Sequence, residues 1–250
     1  MFVYDNATIR LVRKLSQAGE SDYTVAKKTG IARQTIMRWR HRGFPEREEP
    51  SSSWTVAPPE YSYVLGLYLG DGCLYRAGRS KIYTLDLACD LRYPMIAREA
   101  AQALRTVFNA PVRSSFPNDA ACVHLKISHA GLVGAFPQHG PGRKHTRKIE
   151  LVEWQRVLTH RNPEAFIRGL VHSDGARCIN QVNTTLPSGR RAHYEYVRYF
   201  FTNYSKDIRR IFCEHCDLLG IRWTQSNHRN ISISHRDSTA ILDRIVGPKT

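Results

Sequence analysis

The chain has 250 residues, of which 42% are hydrophobic, so it can bury one large core or two modest ones and does not have a disordered composition. Its formal net charge of +15 at pH 7 favours a polyanionic partner, because Lys and Arg side chains release counterions when they meet phosphates. The longest apolar run, at residues 61–69, is too short to cross a bilayer, which argues against a membrane-spanning protein.

The N-terminal sequence and the cysteines predict a cytoplasmic location. No basic flank followed by an apolar stretch stands at the N-terminus, so no secretory signal is expected. The 6 cysteines are scattered through segments that are otherwise strand-like or helix-like, which is typical of reduced thiols in a cytoplasm.

Residues 1–44 are expected to form a small all-α domain of three helices. The pattern resembles a helix-turn-helix, with small Ala26, turn residue Gly30, and Ile36 and Trp39 on one face of the last helix. The segment holds 9 Lys or Arg against 3 Asp or Glu, a net of +6. An ordinary basic three-helix bundle that binds protein is the alternative. The predicted helices run from Asn6 or Thr8 to Ser16, from Ser21 or Asp22 to Gly30, and from Ala32 to Arg42.

The other face of the third predicted helix carries polar and basic side chains. Side chains of these types can reach base edges or phosphates in a DNA groove. The candidate DNA-binding residues of this helix are Arg33, Gln34, Thr35, Arg38 and Arg42.

Residues 45–60 are predicted to be a linker. They contain four prolines, three serines and four glutamates, a composition that cannot bury itself. The linker separates the small N-terminal domain from a longer C-terminal unit.

The longer unit contains an internal repeat. One copy begins with VLGLYLGDG at residues 64–72 and the other with IRGLVHSDG at residues 167–175. In both copies a strand pair, a helix, a second strand pair and a last helix follow. The fourth strand reads LKISH from Leu125 in the first copy and ISISH from Ile231 in the second.

The repeat predicts an α+β fold of two αββαββα halves related by a pseudo-twofold axis. The first half is expected at 61–139 and the second at 161–250, with a basic connection at 140–160. The expected strands are 73–77, 81–89, 111–116 and 121–128, then 177–186, 193–203, 221–226 and 230–234. The expected helices after each motif are 92–108 and 129–137, then 205–219 and 237–246.

The two motif helices are expected to pack side by side. Asp71 and Asp174, which end them, would then lie close together. Two carboxylates at helix C-termini repel each other and the negative end of the dipole, so the arrangement favours a divalent cation. A plain helix stop at Asp-Gly is the alternative. Small residues that permit the close approach stand four apart in both helices, namely Gly66 with Gly70 and Gly169 with Ser173.

The two motif segments resemble those of single-chain LAGLIDADG homing endonucleases. The resemblance implies a saddle of two four-stranded antiparallel sheets that straddle double-stranded DNA, in a monomer with internal pseudo-twofold symmetry. It also implies site-specific, metal-dependent phosphodiester hydrolysis by Asp71 and Asp174. Mg²⁺, with Mn²⁺ as a substitute, would be held there with Gly70 and Ser173. Binding to DNA would associate a cytoplasmic protein with the nucleoid.

A basic residue commonly assists each active site of this family. Lys126 is the candidate in the first half, but its counterpart in the second half is Ser232, with Arg236 or Lys206 as nearby substitutes. The sites are therefore expected to be unequal, with a weakened second site. The alternative is a non-cleaving transcription regulator, since one branch resembling this family pairs the fold with a helix-turn-helix. In that branch the helix-turn-helix follows the fold, whereas here it precedes it.

Strand residues of both halves suit a sheet that faces a DNA groove, and the alternation of side chains decides which of them point at DNA. The candidates are Arg76, Arg79, Lys81, Thr84 and Asp86 in the first half and Gln181, Asn183, Thr185, Arg190, Arg191, Tyr194, Glu195 and Arg198 in the second.

Three further features have two interpretations each. The basic run at 140–148 is either a phosphate contact or a solvated linker. Cys213 and Cys216 have the spacing of a zinc half-site, but no second ligand pair stands close by, which favours core cysteines. His172 either touches a phosphate or is a packed or capping histidine.

Overall fold

A computed structural model describes residues 6–44, 57–76, 82–117 and 121–247. The chain divides into two compact units, Met1–Ser52 and Ser53–Thr250. Within the described residues, each unit has its own hydrophobic core. None of the helices in these ranges combines the length and the apolar character needed to span a bilayer.

The first unit contains the three helices that the sequence predicts, α1 (Asn6–Gln17), α2 (Asp22–Thr29) and α3 (Arg33–Arg42). The Ser21 hydroxyl caps α2 by accepting a hydrogen bond from the Thr24 amide at 3.2 Å. Gly30 ends α2 in the left-handed region, with φ 69°, where a side chain would be strained. Three residues thus separate α2 from α3.

Apolar side chains and one arginine hold the three helices together. The Arg40 guanidinium of α3 lies 2.9 Å from the Asp22 carboxylate at the start of α2 and also donates to the Glu20 carbonyl. Arg40 therefore has a structural role that other arginines of α3 do not share. The core side chains of the unit are Ile9, Val12, Val25, Ile31, Ile36 and Trp39.

The second unit has the predicted order of two αββαββα halves. The first half consists of α4 (Pro58–Asp71), β1 (Gly72–Tyr75), β2 (Tyr83–Asp90), α5 (Pro94–Phe108), β3 (Arg113–Ser115), β4 (Cys122–His129) and α6 (Leu132–Ala135). The second consists of α8 (Pro163–Asp174), β5 (Gly175–Thr185), β6 (Arg191–Thr202), α9 (Lys206–Leu218), β7 (Thr224–Gln225), β8 (Asn230–Ile233) and α10 (Arg236–Val246). Between the halves lie a 3-10 turn (Lys144–Thr146) and α7 (Glu153–Arg161).

Helices occupy parts of two segments that the sequence predicts to be connections. The predicted linker at 45–60 extends too far, because α4 already begins at Pro58. Proline is favoured in the first helical turn, where its missing N–H has no partner to lose. Likewise, the predicted connection at 140–160 is not merely a connection, since α7 occupies its end and buries Gln155 and Thr159. Residues 45–56 of the predicted linker lie outside the described residues.

Each half forms one antiparallel four-stranded sheet, in the orders β1-β2-β4-β3 and β5-β6-β8-β7. The strand registers of the two sheets coincide when the two copies of the repeat are aligned. Leu87 of β2 pairs with Gly72 and Leu125, and Phe201 of β6 pairs with Gly175 and Ile231. Both sheets therefore start directly at the end of a motif helix.

One face of the first sheet packs against helices. Along β2, Leu85 and Leu87 are buried in the core, whereas Thr84 and Asp86 point to the opposite face. The same alternation along β4 puts Lys126 on the face that carries Asp86. We call this the outer face of the sheet.

The two motif helices touch through their backbones. A Cβ placed on Gly169 would lie 2.2 Å from the Tyr63 carbonyl oxygen, and one on Gly66 would lie 2.6 Å from the Phe166 carbonyl oxygen. At such distances no side chain fits, so glycine is required in both helices. The small residues at four-residue spacing thus allow α4 and α8 to cross in direct contact.

We expect Gly169→Ala to lower the free energy of unfolding by about 3 kcal/mol, because the added methyl group meets rigid backbone and the helices must separate. Denaturant unfolding of the full chain measures this. Gly134→Ala is the matched control, since a Cβ at Gly134 meets no atom within 4 Å. Its effect should stay within about 1 kcal/mol. Equal stability of both variants would contradict the close contact.

Candidate functional site

The two motif carboxylates stand at the ends of α4 and α8, which are in contact. Asp71 and Asp174 are the last residues of these helices. A Cβ on Gly70 would lie 2.2 Å from the Ser173 hydroxyl oxygen and 3.0 Å from the Asp174 Oδ2. The helix ends are thus in contact, and each carboxylate stands directly before the first strand of a sheet.

The surroundings of the two carboxylates differ. Asp174 is half-buried, and its Oδ2 accepts a hydrogen bond from the Asn203 amide at 2.6 Å. Asp71 is exposed and borders a cavity of about 750 Å³, whose wall also includes Ser173 and Gly175. Asp71 is therefore open to solvent, whereas Asp174 is half-buried and bonded to Asn203.

Lys144 lies at the end of α4. Its ammonium donates to the carbonyl oxygens of Gly70 at 2.7 Å and Leu69 at 2.9 Å, and also to that of Tyr68. Burial lowers the pKa of Lys144 to about 8, although the charges of Asp174 and Asp71 act in the opposite direction. Lys144 is not among the site residues predicted from the sequence, because it stands in a glycine-rich basic run that resembles a solvated linker.

A buried polar network holds the connection that carries Lys144. The Gln155 side chain donates to the Tyr61 hydroxyl at 2.7 Å, and Tyr61 in turn donates to the Ala135 carbonyl at 2.7 Å. Gln138 donates to the Glu150 carbonyl at 2.8 Å. The connection is thus folded against the first half. Its Arg143 and Lys148 are exposed, so a phosphate contact by those two stays a prediction.

Lys126 lies on the outer face of the first sheet in a charged cluster. Its ammonium is 3.7 Å from the Asp86 carboxylate, which also lies 2.8 Å from His124 Nδ1. The backbone register sets Lys126, Asp86 and Cys73 side by side across the sheet, and Cys73 is only two residues beyond Asp71. Lys126 therefore lies two strands across the sheet from Cys73, and the carboxylate nearest to its ammonium is that of Asp86, so its role at the first motif carboxylate stays a prediction.

The corresponding row of the second sheet consists of Ala176, Phe200 and Ser232. Ser232 accepts a hydrogen bond from the Arg198 guanidinium at 2.8 Å. The basic group at Ser232 is therefore Arg198, two residues before Phe200. The substitutes considered from the sequence, Lys206 and Arg236, are the first residues of α9 and α10.

The other strand candidates are spread over both faces of the sheets. Gln181 and Asn183 share a face with Arg177, whose guanidinium bonds the Asp243 carboxylate of α10 at 2.8 Å, and Arg198 points to the opposite face. Thr185 and Glu195 also lie on the face of Arg177, whereas Tyr194 lies on the face of Arg198.

The remaining strand candidates lie elsewhere. Arg190 lies in the hairpin turn, Arg191 opens β6, and Arg76 stacks on Tyr83 at 5.2 Å. Arg79 and Lys81 lie outside the described residues.

The candidate DNA-binding residues of α3 lie mostly on its surface. Arg33, Gln34, Arg38 and Arg42 are exposed, and Thr35 is half-buried. None of these five side chains belongs to the core of the first unit.

Two residues singled out in the sequence lie in the core. His172 is buried, with Nδ1 2.8 Å from the Tyr63 hydroxyl and Nε2 3.2 Å from the Val246 carbonyl oxygen. Cys216 is fully buried, and burial raises the pKa of Cys213 to about 12. These positions agree with a packed histidine and core cysteines. Within the described ranges, no three His, Cys, Asp or Glu side chains cluster so that they could hold a metal ion.

Comparison with known proteins identifies the fold. No protein-family model and no curated protein matches the chain. A solved structure of mesophilic variants of the homing endonuclease I-DmoI matches with a TM-score of 0.51 at 19% identity, over 76% of this chain and 97% of that one. I-DmoI in complex with DNA and Ca matches with a TM-score of 0.51 at 20% identity, over 76% of this chain and 91% of that one. The N-terminal LAGLIDADG domain of WhiA gives a TM-score of 0.47 at 12% identity, over 80% of this chain and 89% of that one.

The repeat, the backbone contact of the motif helices and the two antiparallel sheets agree with these matches. The larger unit of this chain has the LAGLIDADG fold.

Proposed function

We propose that this protein is a site-specific endonuclease that hydrolyses double-stranded DNA with the help of a divalent metal ion. The observation that carries the proposal is that Asp71 and Asp174 end two helices that are in backbone contact. Two carboxylates in that place face two negative helix ends, which a bound cation would offset. Asp71 and Asp174 are the proposed catalytic carboxylates.

The residues present fit a cation that prefers oxygen ligands. Asp71 is exposed beside an open cavity, and the last carbonyl groups of a helix lack partners within the helix. With no cluster of three ligating side chains in the described ranges, the Ser173 carbonyl, water and DNA phosphate would complete the coordination, since the Gly70 carbonyl already accepts from Lys144. This ligand set suits Mg²⁺, with Mn²⁺ as a substitute. When bound, the ion would activate water and stabilise the leaving oxygen.

The surface charge and the strands support DNA as the partner. The formal net charge is +15, and a two-stranded ribbon has the width that the major groove admits. β6 has 12 residues, so the β5–β6 hairpin reaches roughly 40 Å, about one turn of the duplex. The solved structure of I-DmoI with DNA and Ca supports the same partner. We propose that the chain acts as a monomer, bound to the nucleoid in the cytoplasm.

The small unit is proposed to be a helix-turn-helix that reads DNA. A three-residue turn joins α2 to α3, and α3 exposes Arg33, Gln34, Arg38 and Arg42. Arg40, which bonds Asp22, is not part of this surface. The unit would extend the site that the larger unit recognises.

A non-cleaving transcription regulator is the second candidate. The asymmetry of the two halves favours it, since Ser232 stands where the first half has Lys126 and Asn203 already bonds Asp174. Such a protein would bind the same kind of site without cutting it. Cleavage therefore has to be measured apart from binding.

We expect Asp71→Asn and Asp174→Asn each to slow scission by about 10³-fold or more while leaving binding within about threefold, because each removes a group that acts on the reacting phosphate. Cleaved sites selected from a randomised duplex library supply the substrate, with Mg²⁺ or Mn²⁺ present. Tight binding by the wild type without any scission would contradict the endonuclease and support the regulator.

Lys126→Met is expected to slow the cutting of one strand, so that nicked duplex accumulates. The reason is that the second half presents Arg198 and Ser232 in the corresponding place, leaving its chemistry unchanged. Strand-specific end labels measure this. Arg113→Met, opposite Lys126 on β3, is the control for lost charge and should weaken binding without nick accumulation. Equal slowing of both strands by Lys126→Met would argue against unequal sites.

We expect the double variant Arg33→Ala with Arg38→Ala to weaken binding to the selected site about tenfold or more and to reduce the salt slope by roughly 1–2. Lys28→Ala removes an exposed charge of α2 that pairs with Glu20 and serves as the control. Affinity is measured by fluorescence anisotropy over a range of salt concentrations. An unchanged affinity in the double variant would instead favour a bundle that binds protein.

A further inference from the structure

We propose that the ammonium of Lys144 acts as a built-in cation at the paired helix ends. It occupies one of two cation positions there. The site therefore takes a single divalent ion, on the Asp71 side. The inference rests on the proposed function, which requires the divalent ion. It goes further by fixing how many ions bind and where.

Lys144 is held as a ligand of carbonyl oxygens. Its ammonium donates to the carbonyls of Tyr68, Leu69 and Gly70, in the last turn of α4. An ammonium has three N–H groups, and these three carbonyls use all of them. They also carry the negative end of the helix dipole. A phosphate would have to compete for donors already in use, so Lys144 is not arranged as a DNA contact.

The Gly70 carbonyl and the Asp174 carboxylate belong to one position. The Asp174 Oδ2 lies 3.0 Å from the place of a Cβ on Gly70, and the Lys144 ammonium lies 2.7 Å from the Gly70 carbonyl oxygen. Asp174 is also the carboxylate whose charge acts most strongly on Lys144. The Lys144 charge therefore lies at the end carbonyls of one helix, within electrostatic reach of the carboxylate that ends the other.

Pseudo-symmetry defines the second position by Asp71 and the end of α8 at Ser173. Both residues line the open cavity. An open cavity and a carboxylate thus coincide on the Asp71 side.

The ammonium and a divalent ion exclude each other from the Asp174 position. Like charges in contact repel strongly where water is partly excluded, and a divalent ion there would have to expel Lys144 from three hydrogen bonds. The connection that carries Lys144 is itself held by the buried Gln138 and Gln155. The divalent ion is therefore directed to Asp71.

The test counts Mn²⁺ bound to the full chain without DNA, by electron paramagnetic resonance of the free ion during a titration. We expect one Mn²⁺ per wild-type chain and two per Lys144→Met chain, because the variant leaves Asp174 and the Gly70 carbonyl to a second ion. Lys148→Met is the matched control and should bind one. It removes the same charge from the same connection, at an exposed position paired with Glu150.

A second measurement needs no Lys144 variant, so it stands even if that variant does not fold. In the wild-type background, Asp71→Asn should weaken Mn²⁺ binding about tenfold or more, as expected for the loss of a ligand. Asp174→Asn should change it by less than about threefold, because its partner cation is the ammonium. The asymmetry between two formally equivalent carboxylates is the signature of the built-in cation.

The outcomes separate the inference from the proposed function. Two Mn²⁺ ions on the wild type, an equal loss from both Asp variants, or one ion on a folded Lys144→Met chain would overturn the inference and leave metal-dependent cleavage standing. Binding of Mn²⁺ by the Lys144→Met chain but not by the wild type would also overturn the single-ion site. If neither protein binds Mn²⁺ even with a selected duplex, the metal-dependent function itself fails.

Discussion

The contact between α4 and α8 is made backbone against backbone, with Gly66 and Gly169 at its centre. Only this close crossing brings the ends of the two helices into contact, and only there can Asp71 and Asp174 share their surroundings. Because β1 and β5 start directly after these residues, the same contact also fixes where both sheets begin. The positions of the site and of both sheets therefore depend on glycine at these two places, where no side chain fits.

The helix ends concentrate negative charge, and the structure offsets it differently on its two sides. Carbonyl groups of the last helical turn and a carboxylate stand together at each end. At the end of α4, Lys144 donates to the carbonyls and Asp71 borders a cavity of about 750 Å³. At the end of α8, Asn203 donates to the Asp174 carboxylate. The pseudo-twofold relation of the backbones thus does not extend to the electrostatics.

A similar asymmetry distinguishes the row of side chains that contains Lys126 in the first sheet from the corresponding row of the second sheet. In the first, Lys126 and His124 flank Asp86, whereas the second has Phe200 beside Ser232, with Arg198 bonded to the serine. The repeated backbone sets the positions, but the side chains that fill them have diverged. Identical folds in the two halves therefore do not imply identical chemistry.

The sequence by itself determined the repeat, the order of helices and strands, and the two acids at the motif ends, because periodicity, helix ends and small-residue spacing are local properties of the chain. Only the tertiary structure decided that Lys144 reaches the end of α4 and that Arg198, rather than Lys206 or Arg236, meets Ser232. These contacts join segments 74 and 34 residues apart in the chain. Their formation depends on how a connection folds back and on strand register, which only the packing of the whole unit fixes.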